Sequence, residues 1–158
     1  MNVSSLINTA GTLEIIAFRL HDQEFCVRTT TIREIRGWGP ATPIPHAPTD
    51  VIGVMNLRGT VIPIIDLANK LGMRSTEPTP RSAIVVAEVH GMAMGLVVDR
   101  VSDILTIPAN LLQPVPELSI SSGMRYADGI IAQSDAMICF LNLESMFEKN
   151  ETTRMIAA

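Results

Sequence analysis

The chain has 158 residues, enough for one ordinary domain or two small subdomains sharing a core and too few for a large multidomain enzyme. Hydrophobic residues make up 47% of it, yet no apolar run reaches the roughly 20 residues that cross a bilayer as a helix. A net charge of -4, no clustering of Lys and Arg, and aromatics at 4% argue against a nucleic-acid surface, which must neutralise phosphates and stack bases.

Residues 1–12 lack the basic start and continuous apolar stretch of a secretory signal, so they read as a flexible polar leader on a cytoplasmic protein. Glu14 to Leu20 and Glu24 to Arg28 are strand-forming runs around His21-Asp22-Gln23, a first hairpin. In Thr29 to Gly37, Thr31 followed by Glu34 fits a capping box, Ile32 and Ile35 share a helical face, and Gly37 can end the segment; the pattern predicts a helix of one or two turns. Gly39 to Pro48 holds four prolines and is expected to be irregular, with at most a short edge strand around Thr42 and Ile44. Val51 to Leu67 then supplies two β-branched runs interrupted by Arg58-Gly59. Gly59 provides the positive φ of a tight turn, and Arg58 is displayed at the tip. The apolar residues of these runs do not alternate with polar ones, so both faces of the strands should be covered. Asp66 can cap a short helix, Leu67 to Leu71, that Gly72 terminates.

After a polar linker, Met73 to Arg81, the pattern begins again. Ile84 to Val89, a His90-Gly91 turn and Met92 to Val98 match the first hairpin. Asp99 to Ile107 takes the place of the capped segment in a more extended form, and Leu111 to Pro116 repeats the proline-marked connection. Tyr126 to Gln133, Ser134-Asp135 and Ala136 to Leu141 repeat the central hairpin, and Asn142 to Phe147 is a second capped helix. The reading is an all-β protein with a few short helices: two β-barrel subdomains of about five strands each, approximately residues 13–72 and 82–149, with 150–158 as a polar tail. Whether strands cross between the barrels is left open.

Catalytic signatures are absent: no phosphate-binding glycine loop, no nucleophile elbow and no zinc-protease helix. His21, His46 and His90 fall in separate turns, so no metal role is expected, and no cofactor is implied. Cys26 and Cys139 sit alone in apolar runs and read as small core residues, not a disulfide or metal pair. Asp66, Asp99, Asp103, Asp128 and Asp135 lie at strand ends or turns, where aspartate commonly bonds local backbone. Of the nine methionines, Met92, Met94, Met137 and Met146 fall in apolar runs and read as core. Trp38, between Gly37 and Gly39, reads either as a lid on the core or as a partner anchor. Glu34 also has two readings: the third residue of a capping box, or an exposed acid paired with Arg58.

The residues Glu34-Ile-Arg-Gly-Trp38, Gly53-Val-Met-Asn-Leu-Arg-Gly-Thr-Val-Ile-Pro-Ile-Ile-Asp-Leu67, Gly95-Leu-Val-Val-Asp-Arg-Val-Ser-Asp103 and the closing Asp128-Gly to Leu143-Glu144 region resemble the CheW family of bacterial chemotaxis coupling proteins. The likeness covers about residues 13 to 149. It implies two five-stranded SH3-like barrels packed around a shared hydrophobic core, and no enzymatic activity. It further implies a scaffold that bridges transmembrane chemoreceptors to the histidine kinase CheA in membrane-associated arrays, so that receptor state controls autophosphorylation. Carried over by position, Ile32, Glu34, Ile35 and Arg58 would form the receptor-binding set, with Ile32 and Ile35 flooring a groove beside the Arg58 turn. Thr42, Gly53 and Val61 would meet the regulatory domain of the kinase. His46 stands where the family often has Asn, and Arg100 where it often has Gly. The short stretch after Phe147 argues against the coupling proteins that carry a receiver domain. Two alternatives stand beside this reading: a paralogue serving a chemosensory pathway other than motility, and a small barrel enzyme or ligand-binding protein with a polar cleft.

Overall fold

A computed structural model describes residues 11–116, 126–133 and 136–147. Most of the leader, the 150–158 tail and the Ser134-Asp135 turn lie outside the described residues. Eleven strands follow in chain order: β1 (Thr12–Leu20), β2 (Gln23–Arg28), β3 (Ile32–Gly37), β4 (Val51–Leu57), β5 (Thr60–Asp66), β6 (Ala83–Val89), β7 (Met92–Val98), β8 (Arg100–Pro108), β9 (Leu112–Gln113), β10 (Ala127–Gln133) and β11 (Ala136–Leu141). The first strand therefore starts at Thr12, the last residue of the expected leader. All four expected hairpins form, β1 with β2, β4 with β5, β6 with β7 and β10 with β11. Among the described turns, two are closed by a pair of left-handed residues: Arg58 (φ 53) with Gly59 (φ 88), and His90 (φ 52) with Gly91 (φ 78). This is the type I′ geometry, whose twist matches that of the flanking strands. Arg58 thus adopts positive φ itself, beyond the one residue the sequence reading assigned to it.

The helix expected over Thr29 to Gly37 is not formed. Thr29–Thr31 makes one 3₁₀ turn, and β3 then pairs antiparallel with β6 from Ile32 opposite Ala87 to Gly37 opposite Ala83. Thr31 Oγ1 donates to the Arg28 carbonyl at 2.7 Å and Glu34 turns to Arg58, so the capping box never closes. A box contributes only about 1 kcal/mol, whereas β6 offers a whole ladder of backbone partners to a β-branched segment. The other two helices are where the caps put them. In α1 (Leu67–Lys70) the Asp66 carboxylate accepts from Asn69 N at 3.3 Å and from Thr76 N at 3.0 Å. In α2 (Leu143–Met146) Asn142 Oδ1 accepts from Ser145 N at 3.2 Å.

The strands form two sheets, one of order β8-β1-β2-β11-β10-β9 and one of order β3-β6-β7-β5-β4. The first has six strands, not five, because two-residue β9 adds to its edge. The linker boundary, 13–72 against 82–149, does not separate the sheets. Hairpin β1–β2 belongs to the sheet of the second half, and β6–β7 to the sheet of the first. Each leading hairpin is exchanged, and the repeat is visible in the pairings: β3 with β6 and β8 with β1 are antiparallel, whereas β5 with β7 and β11 with β2 are parallel. Turn histidines follow the same symmetry. His21 Nε2 meets the Arg74 carbonyl beyond α1 at 2.6 Å, and His90 Nε2 meets the Phe147 carbonyl beyond α2 at 2.5 Å.

Exchange explains why alternation fails in the sequence. Ile15, Ala17, Cys26, Ile131, Ile138 and Phe140 pack inside the first barrel, and Ile62, Ile64, Ile84, Val86 and Val97 inside the second. The opposite faces of the same strands, with Phe18, Phe25, Val27, Val85, Leu96 and Leu141, meet in a third core shared by both sheets. A strand buried on two faces reads as a continuous apolar run. Cys26 and Cys139 belong to different cores. Burial pushes the Cys26 thiol well above its ordinary value and that of Cys139 up to about 11, so both are unreactive near neutral pH.

Candidate functional site

The Arg58 turn is built by local bonds and aimed by the exchanged hairpin. Asn56 Oδ1 accepts from Gly59 N at 2.8 Å, which rigidifies the turn. Arg58 Nη2 donates to Glu34 Oε2 at 2.8 Å, with the arginine side chain 76% exposed and the glutamate 22%. The pair uses one carboxylate oxygen; Glu34 Oε1 is buried without a partner among the described residues. An open pair of this kind contributes about 0.2–1 kcal/mol, so it orients the two elements more than it stabilises them. The cleft it borders is lined by Leu57, Thr60 and Ile62 from the first half and by Val86, Gly91 and Ala93 from the exchanged hairpin. Beside it Arg33 pairs with Glu88 of β6 at 2.5 Å. None of the β6–β7 residues could be placed here from sequence, since only the exchange brings the His90-Gly91 turn next to Arg58.

The expected receptor set is only partly brought together. Glu34 lies opposite Val86, whose side chain faces the interior of the second barrel, whereas Ile35 lies opposite Val85, on the face of the shared core. Ile32 packs against that shared core, and Ile35 is 40% exposed in a different cleft, between β3 and β8. Glu34 and Arg58 thus share one cleft, and Ile35 borders another.

The expected kinase set divides as well. Thr42 exchanges two backbone hydrogen bonds of 2.8 Å with Val54, forming the short edge bridge that the proline-rich segment allowed. Gly53 is buried beneath it, at a bulge where an added Cβ would collide with the Thr42 carbonyl. Gly129 occupies the equivalent bulge in β10, with Gln113 O 2.7 Å from an added Cβ. Val61 is 59% exposed, so of the three it alone presents a large apolar side chain to a partner. Trp38, Met55 and Leu57 pack against the second barrel core, which gives Trp38 the lid role.

No group of three or more His, Cys, Asp or Glu that could hold a metal occurs among the described residues, and no helix there is long and apolar enough to cross a membrane. The Asp128 carboxylate is perturbed. Burial raises the Asp128 carboxyl above its ordinary 3.8, while the hydrogen bond from Asn142 Nδ2 at 3.3 Å acts the other way. The folded state therefore holds this proton to higher pH than the unfolded chain. The stability it contributes is present below pH 3.8 and lost as pH rises through the folded value. Asp128→Asn should raise urea stability at neutral pH, with the gain vanishing below that value; an equal gain at both pH values would contradict the assignment.

A double barrel with exchanged hairpins, open surface clefts and exposed apolar side chains is suited to holding other proteins, as an adaptor does. The comparisons agree on which adaptor. The CheW-like domain model matches residues 14–151. A probable chemotaxis protein CheW of Rhizobium etli is 51% identical over 142 residues, 90% of this chain and 92% of that one. The chemotaxis protein CheW of Rhizobium meliloti is 50% identical over 143 residues, again 90% and 92%. The crystal structure of a scaffolding CheW protein from Thermoanaerobacter tengcongensis superposes with a TM-score of 0.79 at 29% identity, covering 88% of this chain and 90% of that one. The chain belongs to the CheW family of chemotaxis scaffold proteins.

Proposed function

We propose that the protein couples chemoreceptors to the histidine kinase CheA on the cytoplasmic side of the membrane, by adhesion and not by bond chemistry. The observation that carries this reading is the separation of exposed apolar side chains on one sheet: Ile35 on β3 and Val61 on β5 lie three strand positions apart, with β6 and β7 between them. A coupler needs two surfaces on one rigid body, and strands spaced about 4.8 Å apart hold them at fixed distance. In this reading Ile32, Glu34, Ile35 and Arg58 serve the receptor, with a helical receptor tip laid along the β3 side. Val61 meets the kinase regulatory domain, and Thr42 with Gly53 holds the backbone of that surface in shape.

The deciding experiment mixes receptor fragments, kinase and this protein, and measures autophosphorylation with and without receptor ligand. Ligand-controlled phosphorylation is expected; none in any cognate combination would sink the proposal. Arg58→Ala should lower thermal stability by less than about 1 kcal/mol, because the pair is exposed, while weakening receptor control. An unfolded Arg58→Ala protein would make the residue structural.

A further inference from the structure

The internal repeat places Lys70 of α1 and Met146 of α2 at equivalent positions, each the last residue of its short helix. Asp50 and Tyr126 are equivalent in the same way: the Asp50 carbonyl accepts from the helix cap Asp66 N at 2.8 Å, and the Tyr126 carbonyl from the cap Asn142 N at 2.9 Å. In the second half Met146 belongs to the shared core and Tyr126 packs against it. The first half has an ammonium and a carboxylate there. Lys70 Nζ stands 3.9 Å from Asp50 Oδ2, with the two side chains only 12% and 13% exposed. It also stands 5.0 Å from the centroid of the buried Phe147 ring. Because the second half fills the same place without this ion pair, the architecture does not require it. A secluded ion pair costs desolvation and adds little net stability, while it is strict about the positions of its partners.

Lys70 joins parts that belong to different halves. Asp50 ends the proline-rich segment and leads into β4, which carries Gly53 and the bridge from Val54 to Thr42. Phe147 follows α2, and its carbonyl meets Nε2 of His90, whose neighbour Gly91 lines the Arg58 cleft. A cation between a carboxylate and a ring face is attracted to both, and seclusion from water strengthens each attraction. We propose that Lys70 is a positioning residue of the coupler: its ammonium, shared by Asp50 and Phe147, holds the surface of Thr42 and Gly53 and the Arg58 cleft in one fixed relation, so that a displacement at either is felt at the other. This rests on the coupling reading and supplies the internal link between its two surfaces. An apolar residue at position 70, as in the second half, keeps the fold and loosens that relation.

Lys70→Met joined to Asp50→Asn removes both charges and leaves neither secluded alone. The double variant is expected to keep or raise the urea midpoint, and to keep its affinity for receptor fragments and for kinase measured separately. Its ligand-controlled change in autophosphorylation should fall about threefold to tenfold. Phe147→Leu, which takes the residue of the equivalent position Leu71 and removes the ring face, should act in the same direction. Lys70→Arg, which can pair with the carboxylate and stack on the ring, should keep control near wild type. In the isolated double variant the amide resonances of His90 and Gly91 are expected to shift together with those of Gly53 and Val54. This arm needs neither receptor nor kinase, so its failure and that of the coupling assay are distinguishable. Should the double variant fail to fold, Phe147→Leu carries the same readouts. Unchanged amide resonances at either surface, full ligand control in the double variant, or a loss of control that only follows a loss of stability would overturn the proposal.

Discussion

Gly53→Val is expected to destabilise the protein by about 3 kcal/mol in urea unfolding, although the residue lies in a segment expected to meet a partner. An added Cβ would stand 2.7 Å from the Thr42 carbonyl carbon, closer to its oxygen, and 3.1 Å from Pro43 N. These are backbone atoms, and Thr42 is held by two 2.8 Å hydrogen bonds to Val54, so relief requires breaking the bridge. Overpacking costs about 1–3 kcal/mol and each lost backbone bond about 1. Gly37→Ala is the control: nothing lies within 4 Å of its added Cβ, and its effect should stay below about 1 kcal/mol. Wild-type stability in Gly53→Val, joined to lost kinase binding, would instead make Gly53 a contact residue.

Cutting the chain within Met73 to Arg81 is expected to abolish folding of both halves and to restore it on mixing. The first half alone would keep β1 and β2 without their neighbours β8 and β11, and β3 and β5 without β6 and β7. Phe18, Leu20, Phe25 and Val27 would lose the partners that bury them in the shared core, including Val85, Leu96 and Leu141. The loss is that of the whole fold, about 5–15 kcal/mol for a domain of this size. Amide spectra of residues 11–76 and 77–147, separately and at equal concentration, decide it. A dispersed spectrum from either fragment alone would show an autonomous barrel and overturn the prediction.

The hairpins were legible because each is a local matter of β-branched runs and a turn. The same holds for Asp66 and Asn142 as caps, which bond residues three positions on. The Thr29 to Gly37 segment was misread for the complementary reason. Its local pattern is helical, and β6, some fifty residues away, supplies the ladder that overrides it. The candidate surfaces divide along the same line. Arg58 could be placed at a tip from Gly59 alone, and its pairing with Glu34 was one of two open readings. Separating Glu34 from Ile35 required knowing that the segment is a strand, whose neighbours point to opposite faces.

By itself the sequence determined the turns, the caps, the internal repeat, the double burial of its strands and the family, because these depend on residues near one another or on their order. Tertiary structure alone decided that the leading hairpins are exchanged, that β3 is a strand, and that Lys70 stands between Asp50 and Phe147. The physical reason is that strand partners are chosen by edges and apolar faces distant in the chain. A period of two says which residues share a face, but not which sheet the face belongs to.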